Sequence, residues 1–139
     1  LELFEKSVYF RTLADYSAVI LCTIVFLAVF ELLTKYRNWE EIKNGNLAVA
    51  LATGGKIFGI ANIFRVTLSE SDSLPSAILQ GSFGFLLLMG GYFIFEFLTP
   101  SFNIDEEIKN GNKAVGWMAM MISIGLSYVI GAGLSGSSF

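Results

Sequence analysis

Four apolar runs set the pattern of this chain, at about 14–33, 47–64, 76–98 and 113–134, and short polar stretches separate them. A helix crossing the ~30 Å hydrocarbon core of a bilayer needs roughly 20 apolar residues, and each run comes close to that length. From Ser17 to Phe30 nearly every side of a helix would be apolar, as expected where the solvent is lipid and other helices. The runs predict an all-α integral membrane protein with four transmembrane helices.

The polar stretches carry a repeat. Glu40 to Asn46 reads Glu-Glu-Ile-Lys-Asn-Gly-Asn, and the same seven residues return at Glu106 to Asn112, each time between two apolar runs. Glu31 and Thr34 return 65 residues on as Glu96 and Thr99, whereas the seven-residue corner returns after 66, so the second corner holds one extra residue. The chain then divides into a first hairpin with an N-terminal surface segment, 1–75, and a second hairpin with a Gly/Ser tail, 76–139. Each unit has two spans, so the units should be parallel repeats about an axis along the membrane normal.

Local chemistry predicts a short interfacial helix at each corner. Asn38 with Glu41, and Asn103 with Glu106, have the spacing of a capping box. Gly45 and Gly111 suit a left-handed helix stop, and Asn46 and Asn112 can cap the helix that follows. The alternative for this motif is a docking surface for a soluble partner. At the N-terminus, Leu1, Phe4 and Val8 fall at helical spacing and predict a segment along the membrane surface, with a frayed end as the alternative. The stretch from Val66 to Leu74, with Glu70, Asp72 and three serines, reads as a link, and Pro75 as the first turn of the third helix.

Two stripes of small residues predict the packing faces: Ala52, Gly55 and Gly59 on the second span, and Ala119, Ser123, Ser127 and Gly131 on the fourth. Small residues let membrane helices approach closely, within one chain or between copies.

Composition agrees with the pattern: 54% of residues are hydrophobic, 15% charged, and mean hydropathy is +0.63. A net charge of −3 lacks the basic footprint of a nucleic-acid binder. One cysteine, Cys22, and no histidine leave neither a disulfide framework nor the usual zinc spacings. The chain opens on Leu1, and no signal-peptide pattern is read in it. No cofactor, metal site or catalytic set is expected, so an enzyme ranks last among the functions considered.

The polar residues singled out inside the spans are Lys56, Glu31, Glu96, Asn62 and Gln80. Lys56 stands roughly nine residues into its span, about 14 Å deep at 1.5 Å per residue. A lysine there costs on the order of 2.5–3.5 kcal/mol, which calls for a partner, a wet cavity or snorkelling. A structural pairing with Glu31 or Glu96, contact with another subunit or a cofactor, and a transport or gating role are its three readings. The repeat maps Lys56 to Ile122, Asn62 to Tyr128 and Arg65 to Gly131, so whatever Lys56 does is done once per chain.

An acidic residue before Leu-Thr-Pro at a helix end, then Glu-Glu-Ile-Lys and Gly-Asn-x-Ala-Val, resembles the YjfL-like family of small bacterial inner-membrane proteins, a family of unknown function. The match spans Glu31 to Val49 and Glu96 to Val115, and departs from the pattern at Lys35, where the second copy has Pro100. The resemblance implies a multi-pass inner-membrane protein with a link to envelope maintenance, and supplies no reaction. Five lysines and arginines in the corners against three on the other side place the corners in the cytoplasm. Two functions follow as expectations. One is a non-enzymatic, oligomerising scaffold or accessory subunit in contact with lipid; the other is an ion or small-solute path around Lys56 and the helix-end glutamates.

Overall fold

The computed structural model describes residues 7–99, 101 and 103–136. Its helices are α1 (Val8–Leu33), α2 (Asn38–Lys43), α3 (Leu47–Glu70), α4 (Leu74–Phe97), α5 (Ile104–Lys109) and α6 (Lys113–Leu134). The four long ones, α1, α3, α4 and α6, are each long and apolar enough to cross a membrane.

Helix α3 is the centre of the bundle. Its buried residues run from Ala48 to Thr67, and its closest partner is α6. Glycine sets that distance: a Cβ on Gly55 would lie 2.7 Å from the Met120 Cα, and one on Gly116 would lie 2.7 Å from the Ala48 Cα. Real side chains do not fit at such separations, so the two backbones touch at both places. All seven residues of the two small stripes are buried, and they lie along the two helices, α3 and α6, that pack most closely.

Helix α1 lies at the edge. Only Leu27 and Phe30 are buried on it, and they stand near its corner end. There Phe26 stacks on Phe85 with ring centroids 4.2 Å apart, and Phe30 meets Phe85 and Tyr92 edge-on at 5.4 and 6.0 Å. These aromatic contacts tie α1 to α4. Both tryptophans, Trp39 and Trp117, are exposed close to the corners, the position an interfacial aromatic belt would take.

Three expected boundaries move. From Val8 onward the N-terminal surface segment is the start of α1, because no breaker interrupts the helix and Arg11 donates its amide to the Ser7 carbonyl at 3.1 Å; Leu1 and Phe4 lie outside the described residues. The second span continues through Val66 to Glu70, since the hydroxyls of Thr67 and Ser69 bond back to the Phe64 and Val66 carbonyls rather than opening a loop. Helix α4 starts two residues early, at Leu74, where Ser73 accepts from the Ser76 amide at 3.3 Å.

Candidate functional site

The two corners share one turn. Gly45 and Gly111 both have φ +86°, a left-handed conformation that costs a residue with a Cβ roughly 1–2 kcal/mol. Asn46 and Asn112 cap α3 and α6, each accepting from the amide three residues on, at 3.3 Å. Their amide groups donate to Glu41 at 3.0 Å and to Glu107 at 2.8 Å. Glu41 therefore holds the next helix's cap and does not close a box with Asn38.

Asn38 itself is a correction. It is the first residue of α2, fully buried, and its amide makes no hydrogen bond among the described residues. The 66-residue register explains the error: Asn38 corresponds to Ile104, a buried apolar position, and it is Arg37 that corresponds to the true cap Asn103. Asn103 accepts from the Glu106 amide at 3.0 Å. Glu106 turns away to Lys35, 3.6 Å off across the corners.

Asn46 also crosses between corners, donating to the carbonyls of Ile108 at 3.3 Å and Lys109 at 2.8 Å. No such cross-corner bond is found for Asn112 among the described residues. Asn46→Ala should accordingly cost more than Asn112→Ala, by about 1 kcal/mol for the extra bonds, read from paired denaturation curves in mild detergent.

Above this joint lies Lys56. Side chains on a helix tilt toward its N-terminus, and the N-terminus of α3 is the corner end, so the lysine stem climbs out of the bilayer centre. Its Nζ donates to the Tyr36 hydroxyl at 3.2 Å, in the link between α1 and α2. It sits 4.7 Å from the ring centroid of Phe30, 5.0 Å from Tyr92 and 5.3 Å from Tyr36. Lys56 is wholly buried. A desolvated cation over an aromatic face gains about 2 kcal/mol or more, which offsets part of the burial cost.

The expected direct ion pair is not made. No ion pair joins Lys56 to Glu31 or Glu96 among the described residues. The most deeply buried acidic group of the cluster is Asp105, which accepts from the Tyr92 hydroxyl at 3.2 Å and is itself 2% exposed. Burial pushes the Asp105 carboxyl above its ordinary value of 3.8, while Lys56, the Tyr92 hydroxyl and Lys35 pull it back. Burial likewise raises the Tyr36 hydroxyl, with Asp105 adding to it. A carboxyl raised in the folded state binds its proton more tightly folded than unfolded, so stability falls as pH rises from 3.8 through the raised value. Asp105→Asn should flatten that part of the stability profile, measured by unfolding at a series of pH values.

Glu96 reaches the edge of this cluster, its carboxyl bonded to the Asp105 backbone and its charge acting on Lys56, Tyr36 and Tyr92, whereas Glu31, Asn62 and Gln80 are engaged elsewhere. Asn62 donates to the Ser127 hydroxyl at 3.0 Å toward the other end of α3. Gln80 donates to the Ser76 hydroxyl at 3.2 Å on its own helix. Glu31 lines an open cleft of about 470 Å³ at the corner with Lys35, Arg37 and Lys109. Glu96 is half-buried near the end of α4.

The ring cage, Tyr36, Tyr92, Phe30 and Asp105, was not legible as a site in the sequence. One signal was present. Asp105 stands where the first corner has Trp39, a change of type inside a repeat that is otherwise matched from Glu40 to Asn46.

The domain model described as Domain of Unknown Function (DUF350) matches residues 4–134. The chain belongs to the DUF350 family. Among similar proteins, the UPF0719 transmembrane protein YshE of Bacillus subtilis (strain 168) is 58% identical over 121 residues, covering 87% of this chain and 90% of YshE. The UPF0719 inner membrane protein YjfL of Escherichia coli (strain K12) is 26% identical over 93 residues, covering 67% and 69%. No solved structure matches. This DUF350 chain is therefore a small multi-pass protein of the bacterial inner membrane, and the resemblance read from its corner motifs was to this same group.

Proposed function

We propose that the protein is a non-enzymatic scaffold or accessory subunit of an inner-membrane assembly, with a place in envelope maintenance and its corners in the cytoplasm. The observation that carries this reading is the enclosure of Lys56. Its charge is buried among three rings and one hydroxyl that come from α1, the α1–α2 link and α4, an arrangement suited to clasping the corners onto the bundle. Because α3 and α6 use up the small-residue stripes, association with copies or other subunits falls to exposed apolar sides such as Ile20, Leu21, Ile24 and Val25 of α1.

The other reading, an ion or small-solute path, needs Lys56, Glu31, Glu96, Asn62 and Gln80 to act together, and Asn62 and Gln80 are engaged elsewhere. Reconstituted vesicles separate the two. The scaffold reading expects proton and potassium flux at the protein-free level for wild type and Lys56→Met alike. Wild-type flux that Lys56→Met abolishes while staying folded would overturn it.

A further inference from the structure

At the end of the bundle away from the corners, α3 and α6 enclose a cleft of about 240 Å³ lined by Asn62, Arg65 and Val66 on one side and Tyr128, Gly131 and Ala132 on the other. Among the described residues, Arg65 is the single charged one of that lining. Its guanidinium is held by a chain of hydrogen bonds. Arg65 Nε donates to Asn62 Oδ1 at 3.1 Å, Asn62 Nδ2 donates to Ser127 Oγ at 3.0 Å, and Ser127 Oγ donates to the Ile124 carbonyl at 2.7 Å. Asn62 is 7% exposed and Ser127 wholly buried, so the buried polar pair fixes the direction of an exposed cation.

With Nε occupied, both terminal nitrogens of the guanidinium remain to form the two-pronged contact that phosphate oxygens favour. Arg65 lies 18 residues after Leu47, about 27 Å along the helix, which sets it at the far edge of a ~30 Å core, where lipid phosphates sit. The duplication also built the opening. Asn62 and Arg65 correspond to Tyr128 and Gly131, so where the second copy would carry another arginine it carries no side chain. Below the cleft, Phe58 and Tyr128 lie with ring centroids 6.4 Å apart and both are exposed, an apolar surface that an acyl chain can follow.

We propose that this α3–α6 cleft binds the phosphate of an anionic phospholipid headgroup on Arg65, with Asn62 as the positioning residue. The test is native mass spectrometry of the full chain titrated with phosphatidylglycerol or phosphatidylcholine. Wild type should prefer phosphatidylglycerol. Arg65→Gln should weaken its binding about tenfold or more, as expected for loss of the charge-assisted contact. Ala132→Leu, which fills the cleft without touching the hydrogen-bond chain, should do the same, and Arg11→Gln should leave binding unchanged. Inorganic phosphate failing to displace the lipid assigns the site to the headgroup; displacement at equal concentration would reassign it to free phosphate and overturn the lipid assignment. Equal binding by wild type and Arg65→Gln, an equal loss in Arg11→Gln, or no effect of Ala132→Leu would each overturn the cleft assignment.

Discussion

Lys56→Met is expected to reduce stability against unfolding in mild detergent by roughly 2–4 kcal/mol. Methionine keeps the length of the lysine stem and packs well against rings, so a cavity is not the cause. What disappears is the cation that three rings and the Tyr36 hydroxyl surround, and with it the positive charge that eases the burial of Asp105. This gives the prediction a second arm. Adding Asp105→Asn to Lys56→Met should recover part of the loss, with a coupling of about 0.5 kcal/mol or more, because the double variant no longer buries the Asp105 carboxylate without the lysine charge that offsets it. Strictly additive losses would mean that Lys56 works through its stem alone.

A comparably large effect should separate two adjacent glycines. A Cβ on Gly55 would stand 2.7 Å from the Met120 Cα and 3.0 Å from its carbonyl oxygen. Backbone cannot swing aside as a side chain can, so Gly55→Ala must push α3 and α6 apart, at a cost of about 1–3 kcal/mol. Nothing lies within 4 Å of a Cβ on Gly54. Gly54→Ala should be neutral or stabilising by about 0.5–1 kcal/mol, the gain alanine usually brings to a helix interior. Melting curves of both variants under one detergent condition check the pair, since helix propensity changes equally in each.

What was legible in the sequence rests on chemistry local to a few residues. Run length gave the four long helices, and Asn46, Asn112 and Asn103 cap as their positions suggested. The small residues of the second and fourth spans lie where those helices meet, because close approach needs small side chains whatever the rest of the fold does. The failures have a common physical origin in relations between distant segments. Asn38 was matched to Asn103 by its local surroundings, whereas the repeat register pairs it with Ile104 and a buried position. Depth and the reach of its stem pointed Lys56 to Glu31 or Glu96. Depth takes no account of the direction of the stem, nor of Phe30, Tyr36, Tyr92 and Asp105 arriving from separate segments to form one cage. The continuation of α3 to Glu70 was hidden because serine and threonine read as loop formers, yet here their hydroxyls bond back onto the helix.

The enclosure of Lys56 can be measured by treating the folded protein in vesicles with a small water-soluble amine reagent and mapping the modified lysines. The clasp predicts that Lys43 and Lys109 at the corners react readily while Lys56 stays unmodified until the protein is unfolded. Modification of Lys56 in the folded protein, at a rate comparable to that of Lys43, would contradict it and place the amine on a water-filled path.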